Sequence, residues 1–312
     1  MSAPWPDIPY EPWRETCSAL HLYAQIVGKY RLARTPWVNH SWHATLYVDA
    51  RGLTTSLVPD AASIEIQFDL RDHVLRGKAA DGRRAEFPLR PMSVAEFHGR
   101  FIETVVWLGG DARFDGRPNE LPDPVPFRDD HKARPYDADA VERFFHALVA
   151  ISGVFQRFRT GFIGKVSPVQ LFWGSFDLAV TRFSGRPAPL HPDGIPGLPD
   201  EVTREAYSHE VSSAGFWPGD PETKFPAFYS YAYPAPKGFA ESQPAPEGAY
   251  FDQKLGEFVL PYESVRMASD PERTLLAFLE RAYRAAADLG QWDRAALECP
   301  LGEPLRPRPL TR

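Results

Sequence analysis

The apolar positions of the chain form two kinds of run, one recurring every three or four residues and one alternating every second residue. Over 13–34, Leu20, Tyr23, Ala24, Ile26, Val27 and Tyr30 place apolar groups around most of a helix, which predicts burial on more than one side. Cys17, His21, Gln25 and Lys29 recur every four residues on that helix and form a polar stripe. Pro36 ends it, because the residue before a proline is pushed out of the helical region. Val94, Phe97, Phe101, Val105 and Leu108 predict a second helix, opened by a capping box of Ser93 and Glu96 and closed at Gly109-Gly110. The apolar spacing from Val141 to Phe158 predicts a third over 139–159. Leu275, Phe278, Leu279, Tyr283 and Ala286 predict a fourth, with Ser269 and Glu272 as a second capping box, Pro271 in the first turn and Gly290 at the end.

Between the helices the pattern turns to strands. Ile64, Ile66, Phe68 and Leu70 alternate with Glu65, Gln67 and Asp69, as in a strand with one buried face. Residues 43–48 predict a strand before it, and Asp81-Gly82 a hairpin joining 73–75 to 85–89. In the second part, 169–183 predicts one long strand, 209–216 and 227–233 shorter ones, and Leu255-Gly256 the turn of a hairpin.

The two series share an order: helix, strand region with a Trp, hairpin, capping box, helix, Leu-Gly stop. Setting Trp42 on Trp173 brings Val38 onto Val169 and Arg51 onto Arg182. The expected fold is therefore α+β, with two pseudo-repeated halves, each a mostly antiparallel sheet flanked by helices, in a pseudo-twofold arrangement around one shared core. The halves are expected at 11–117 and 136–298, with a Pro/Asp linker over 118–135 and a flexible tail over 299–312. Pro-rich loops over 185–200 and 236–247 are expected to act as lids or recognition surfaces. Pockets often form between two such halves, which makes the seam the place to look for chemistry.

Several polar residues fall inside strongly apolar sequence. His40 and His43 are candidate metal ligands or acid–base groups; on a regular strand they would point to opposite faces, so joint ligation needs a turn just before the strand. His209 is a third candidate, since a neutral imidazole serves either role near pH 7. His209 with His40 or His43, completed by Asp177 or Glu210, would make a two-His-one-carboxylate set for a divalent metal. Asp177 sits among apolar neighbours, where an unpaired charge is costly. It is expected either to pair with Arg182 or to orient a pocket histidine. Arg182 and Lys29 are candidates to hold an anionic substrate, with Gln25 beside Lys29 on the stripe. That stripe either lines a wet cleft or bonds to the sheet. Tyr229, Tyr231 and Tyr233 share a strand face, and Tyr231 is a candidate pocket wall, against a plain aromatic core face.

Composition narrows the classes. The 312 residues carry a formal net charge of −6 and no basic block, which speaks against nucleic-acid binding. No run of about 18 apolar residues predicts a membrane span, and 1–10 does not read as a signal peptide. Two cysteines, Cys17 and Cys299, without metal-ligand spacing, predict reduced thiols in the cytoplasm. Eight Trp and 21 Phe supply rings enough for a large core and a walled pocket. There is no phosphate-binding glycine loop and no nucleophile elbow.

Longer strings carry a resemblance. Glu15-Thr-Cys-Ser-Ala-Leu-His-Leu, Asn39-His-Ser-Trp-His43, Phe172-Trp-Gly-Ser-Phe-Asp-Leu-Ala-Val-Thr-Arg182 and Ser208-His-Glu-Val-Ser-Ser-Ala-Gly-Phe-Trp217 resemble the signatures of one family of bacterial proteins of unknown function. The resemblance runs from about Trp13 to Glu298. It implies a bacterial cytoplasmic protein and assigns no catalytic residue, cofactor or substrate. The residues themselves suggest an enzyme acting on a small molecule between the halves, by His/Asp acid–base or metal chemistry. A non-catalytic binding or scaffold protein is the alternative.

Overall fold

The computed structural model describes residues 5–192, 194–243 and 246–308. The first half opens with α1 (Tyr10–Arg34) and continues through a short 3-10 turn at Asn39–Ser41. A five-stranded sheet follows, β1 (Tyr47–Val48), β2 (Gly52–Val58), β3 (Ile64–Asp69), β4 (Val74–Ala79) and β5 (Arg84–Pro88), and then α2 (Val94–Trp107). The second half repeats the plan. It runs α3 (Ala138–Thr160), β6 (Gln170–Phe172), β7 (Asp177–Pro187), α4 (Asp200–Ala206), β8 (His209–Trp217), β9 (Ala227–Tyr233), β10 (Tyr250–Asp252) and β11 (Glu257–Pro261). Three helices close it: α5 (Tyr262–Arg266), α6 (Pro271–Leu289) and α7 (Arg294–Leu297).

Both sheets are antiparallel. The first has order β1-β2-β3-β4-β5 and the second β6-β7-β8-β9-β11-β10, so each is a meander of sequence neighbours, with β10 as the one insertion. The halves meet where Leu46 and Leu171 exchange main-chain hydrogen bonds of 2.9 and 2.8 Å, an antiparallel bridge between the sheet edges. One contiguous cluster of buried apolar residues runs through both halves, from Trp5 to Trp292. The expected α+β fold of two antiparallel half-sheets with flanking helices is the fold observed.

The local signals act as their chemistry dictates. Thr35, before Pro36, is extended and ends α1. Ser93 caps α2 by accepting from the Glu96 amide at 3.1 Å. At α6 the cap is Asp270, not Ser269: its carboxylate accepts from the Arg273 amide, and Pro271 takes the first turn.

Two expected strands change form. Residues 43–48 hold only a short β1, because 39–45 coil through turns and His40 takes a left-handed φ of 60°. Residues 169–183 make a hairpin, with Trp173, Gly174, Ser175 and Phe176 as its turn and Phe176 at φ 61°. Trp42 and Trp173 are therefore not equivalent. Trp42 lies before its sheet and Trp173 in a hairpin turn, where its indole donates to the Ala44 carbonyl at 2.7 Å. The sheet order, rather than the tryptophans, carries the repeat. Of the expected tail, 309–312 lies outside the described residues, as do 193 in the first Pro-rich loop and 244–245 in the second.

Candidate functional site

The second sheet has two unlike faces. Arg182, Val180 and Leu178 on β7 turn toward α6, where Phe216, Phe228 and Phe258 are also buried. Strand alternation sends Asp177 and Thr181 to the other face, with Ser213 on β8, Tyr229 and Tyr231 on β9 and Glu257 on β11. That polar face is the floor of a cavity of about 1280 Å³. Its roof comes largely from the first half and the linker. His21 and Lys29 reach it from α1, Trp37, His40 and Trp42 from the coil before β1, and Asp115, Asn119 and Glu120 from the linker region. Thr203 of α4 and Tyr207, the residue just after that helix, close one side, and Phe172, Trp173, Phe176 and Phe183 add further rings.

Asp177 is the hub of the floor. Ser175 Oγ donates to its Oδ1 and the Tyr229 hydroxyl to its Oδ2. Tyr229 lies across Gly215 of β8, where a Cβ would overlap its ring. Next to it, Tyr231 stacks on Tyr229 at 6.1 Å and meets the Tyr207 hydroxyl at 2.8 Å. Thr181 Oγ1 and Ser213 Oγ are 2.9 Å apart. Glu120 enters from above, its carboxyl against Gly174, where again a Cβ has no room. Burial raises the Asp177 carboxyl against the pull of its two donors. Burial, and secondarily the charge of Asp177, push Glu120 up to about 7. Burial, then Asp177 and Asp252, push Glu257 up to about 8. Two carboxyls are thus set to exchange protons near neutral pH.

The stripe on α1 both bonds to the sheet and faces the cavity. His21 Nε2 lies 2.8 Å from the Gly174 carbonyl, and its ring stacks on Phe176 at 5.2 Å. The Gln25 amide nitrogen lies 3.1 Å from the same Nε2, and the Trp173 main chain is a second backbone partner of this ring. Burial lowers this imidazole's pKa and favours the neutral form. Gln25 is buried and grips Asn119 at both ends, accepting from its amide at 2.7 Å and donating to its carbonyl at 3.0 Å. Lys29 donates to Asp115 and to Asn119 Oδ1, each at 2.6 Å.

The other expected site residues are dispersed. His40 lines the cavity, but both ring nitrogens are engaged: Nδ1 donates to the Ala206 carbonyl at 2.7 Å, and Nε2 accepts from Lys165 at 2.6 Å. His209 lies beside His40, with ring centres 6.0 Å apart, and its Nδ1 is 3.1 Å from Ser208 Oγ. His43 turns away against Trp37, its Nδ1 3.2 Å from the Val38 main chain and its buried Nε2 without a partner. Glu210 is ion-paired with Arg186 at 2.6 Å. Among the described residues no group of three or more His, Cys, Asp or Glu is placed to hold a metal ion, so the expected set of His40, His43, His209 and Glu210 does not assemble. Asp177 touches neither a histidine nor Arg182. Positions 177 and 182 are an odd number apart on one strand, which sends them to opposite faces. Arg182 is 1 % exposed, packed over Phe158 and Tyr283 and bonded to the Phe158 carbonyl at 2.5 Å, away from the cavity.

The sequence reading missed Glu120, Glu257, Ser175 and Tyr207. Glu257 had a usable signal, since it opens the return strand of the hairpin and lands across from Tyr231. Glu120 had none: it lies in a loop, and only the fold brings it to Gly174.

A doubled α+β frame encloses a cavity floored by carboxyls and tyrosines. The chain belongs to the family of unknown function DUF5996, whose model matches residues 5–299. No curated protein and no solved structure matches it. Both cysteines are free thiols, and among the described residues no helix is long and apolar enough to cross a membrane.

Proposed function

We propose that this chain is an enzyme, in a bacterial cytoplasm, that acts on a small molecule held in the cavity, with proton transfer carried by the carboxyls gathered around Asp177. One observation carries the reading. A sheet whose far face is packed apolar presents, on its cavity face, Asp177, Thr181, Ser213, Tyr229, Tyr231 and Glu257 under a roof that adds Glu120 and His21. A buried face of this polarity, left hollow, has the composition of a ligand site rather than of a core. Glu120, held near pH 7, is the best-matched general acid or base, because a proton donor works best when its pKa lies close to the operating pH. The hydroxyls of Tyr207, Tyr231 and Ser213 would position the substrate. This reading moves the acid–base role from His40, His43 and His209, two of which have their ring nitrogens directed elsewhere, to carboxyls.

The test begins with a metabolite library screened against the purified chain by thermal shift, since a ligand of the folded state raises its melting temperature by mass action. Each binder is then incubated with the protein and followed by mass spectrometry. The expected result is at least one binder that is chemically converted, with E120Q retaining binding and losing conversion. Binders recovered unchanged would reduce the chain to a binding protein. A library without a single stabilising compound would remove the cavity as a ligand site.

A further inference from the structure

The sign of the charge in the cavity is lopsided. Six carboxylates line it, Asp115, Glu120, Asp177, Asp220, Glu222 and Glu257, against one lysine and no arginine. The lysine, Lys29, is already neutralised by Asp115 at 2.6 Å. Glu222 is paired with Lys254 outside the lining. Glu120, Asp177 and Glu257 have no basic partner in any hydrogen bond or ion pair among the described residues. The expectation of an anionic substrate rested on Arg182 and Lys29, and neither presents a free cation to this space.

The walls are aromatic. Trp37, Trp42 and Trp173 line the cavity, as do Tyr207, Tyr229 and Tyr231; the Trp42 ring already faces the Lys165 ammonium at 5.3 Å, which leaves the other rings for a ligand. The negative faces of such rings attract a positive charge that has left water, Trp most strongly. A second, independent observation sits on α4. Thr203 is 1 % exposed and lines the cavity, and among the described residues its Oγ1 has no hydrogen-bond partner. It lies one helical turn before Tyr207, whose hydroxyl already meets Tyr231. A buried hydroxyl without a partner costs free energy until something bonds to it, and a ligand N–H is such a group.

From this lining we infer that the cavity takes a small organic ammonium ion, its charged nitrogen among Glu120, Asp177 and Glu257 and its carbon body against the aromatic walls. The cation is organic rather than metallic, because the walls beside these carboxyls are aromatic rings, which suit a carbon body and not a hard metal ion that seeks about six to eight oxygens. An ammonium donates in several directions at once, and on entering it releases to water the protons that burial otherwise holds on Glu120 and Glu257, leaving carboxylates to accept. The inference rests on the cavity being a ligand site, and it adds the charge class of the ligand.

The test uses three probes of nearly equal shape: phenethylammonium, 2-phenylethanol and phenylacetate. Each is titrated calorimetrically into the full-length chain at pH 7.5. Phenethylammonium is expected to bind at least about tenfold more tightly than the alcohol, through its charge, with no heat from phenylacetate. The preference is expected to shrink in D177N and in E257Q, with circular dichroism confirming that each variant is folded. T203V is expected to weaken ammonium binding while leaving the fold intact. Equal or tighter binding of the alcohol or the carboxylate overturns the ammonium inference and leaves the cavity standing as a ligand site. Silence from all three probes also overturns it, and the metabolite screen then judges the enzyme reading separately. An ammonium preference that survives D177N and E257Q places the cation elsewhere and overturns the inference as well.

Discussion

Tyr229 on β9 donates its hydroxyl proton to Asp177 on β7, passing over β8, the strand that separates them. The bond exists because position 215 on β8 is glycine, and the tyrosine ring lies where any side chain would stand. Y229F removes one of the two donors to a buried carboxyl and is expected to cost about 1–2 kcal/mol of stability. G215A displaces the ring and breaks the same bond. Because both changes act on one interaction, the double variant should cost clearly less than the sum of the singles. Urea denaturation of the four proteins measures this, and simple additivity would separate Gly215 from the Tyr229–Asp177 bond.

The carboxyls fix the direction of the pH response. Glu120 and Glu257 have folded-state pKa values of about 7 and about 8, above the ordinary glutamate value. An acid raised in this way binds its proton more tightly in the folded chain, so its stabilising contribution is complete below the unfolded pKa and is lost as pH rises through the folded one. Asp177 faces both groups, and Asp252 also faces Glu257. Stability of the ligand-free chain should therefore fall between about pH 4.5 and pH 8, by up to about 3 kcal/mol through Glu120 and about 5 kcal/mol through Glu257. E120Q and E257Q should each flatten that slope. Denaturation midpoints across the pH range give the answer, and an unchanged slope in both variants would contradict the assignment.

Gln25 and Lys29 hold one residue of the cavity roof, Asn119. Q25L leaves the Asn119 main chain without its partner, a loss of about 1–3 kcal/mol. The expected consequence is local: faster amide exchange over 115–121, with the sheet amides protected as before. K29M should act in the same direction. Hydrogen exchange followed by mass spectrometry distinguishes a roof that loosens from a chain that unfolds as a whole.

Arg182 separates a structural role from a binding role. Its guanidinium is sandwiched by Phe158 and Tyr283 and lies 3.6 Å from Glu280, and among the described residues its Nε has no partner. R182M keeps most of the packing volume and is expected to cost about 1 kcal/mol, whereas R182A opens a void and costs about 3 kcal/mol. Neither should change the affinity of a cavity ligand. A tenfold loss of affinity in R182M would return the arginine to the site.

The sequence made some parts of this molecule plain and hid others, for physical reasons. The four long helices, the β3 alternation and the β10–β11 hairpin were readable because periodicity and capping chemistry are local, whereas the short α4, α5 and α7 were not. The repeat was readable as an order of elements, yet its proposed anchor, Trp42 over Trp173, failed because a positive φ at Phe176 turns an apolar run into a hairpin. Asp177, Tyr231 and Lys29 were found at the cavity because polar groups in apolar sequence need a partner or a space. Arg182 met the same criterion and found aromatic rings instead. Glu120 was illegible, since a loop acid acquires its meaning only from what the fold sets opposite it.

Helix α1 carries a consequence for how the chain comes together. Each sheet is a meander that can close from neighbouring segments soon after they are made. The polar edge of α1 cannot: His21 waits for Gly174, and the Tyr262 hydroxyl reaches back to the Pro6 carbonyl at 2.9 Å. Contacts of such long sequence separation form late. In a chain emerging from its N-terminus, Gln25 and Lys29 can be covered once 115–119 has been made, but the His21 end of that edge stays wet until Gly174 arrives.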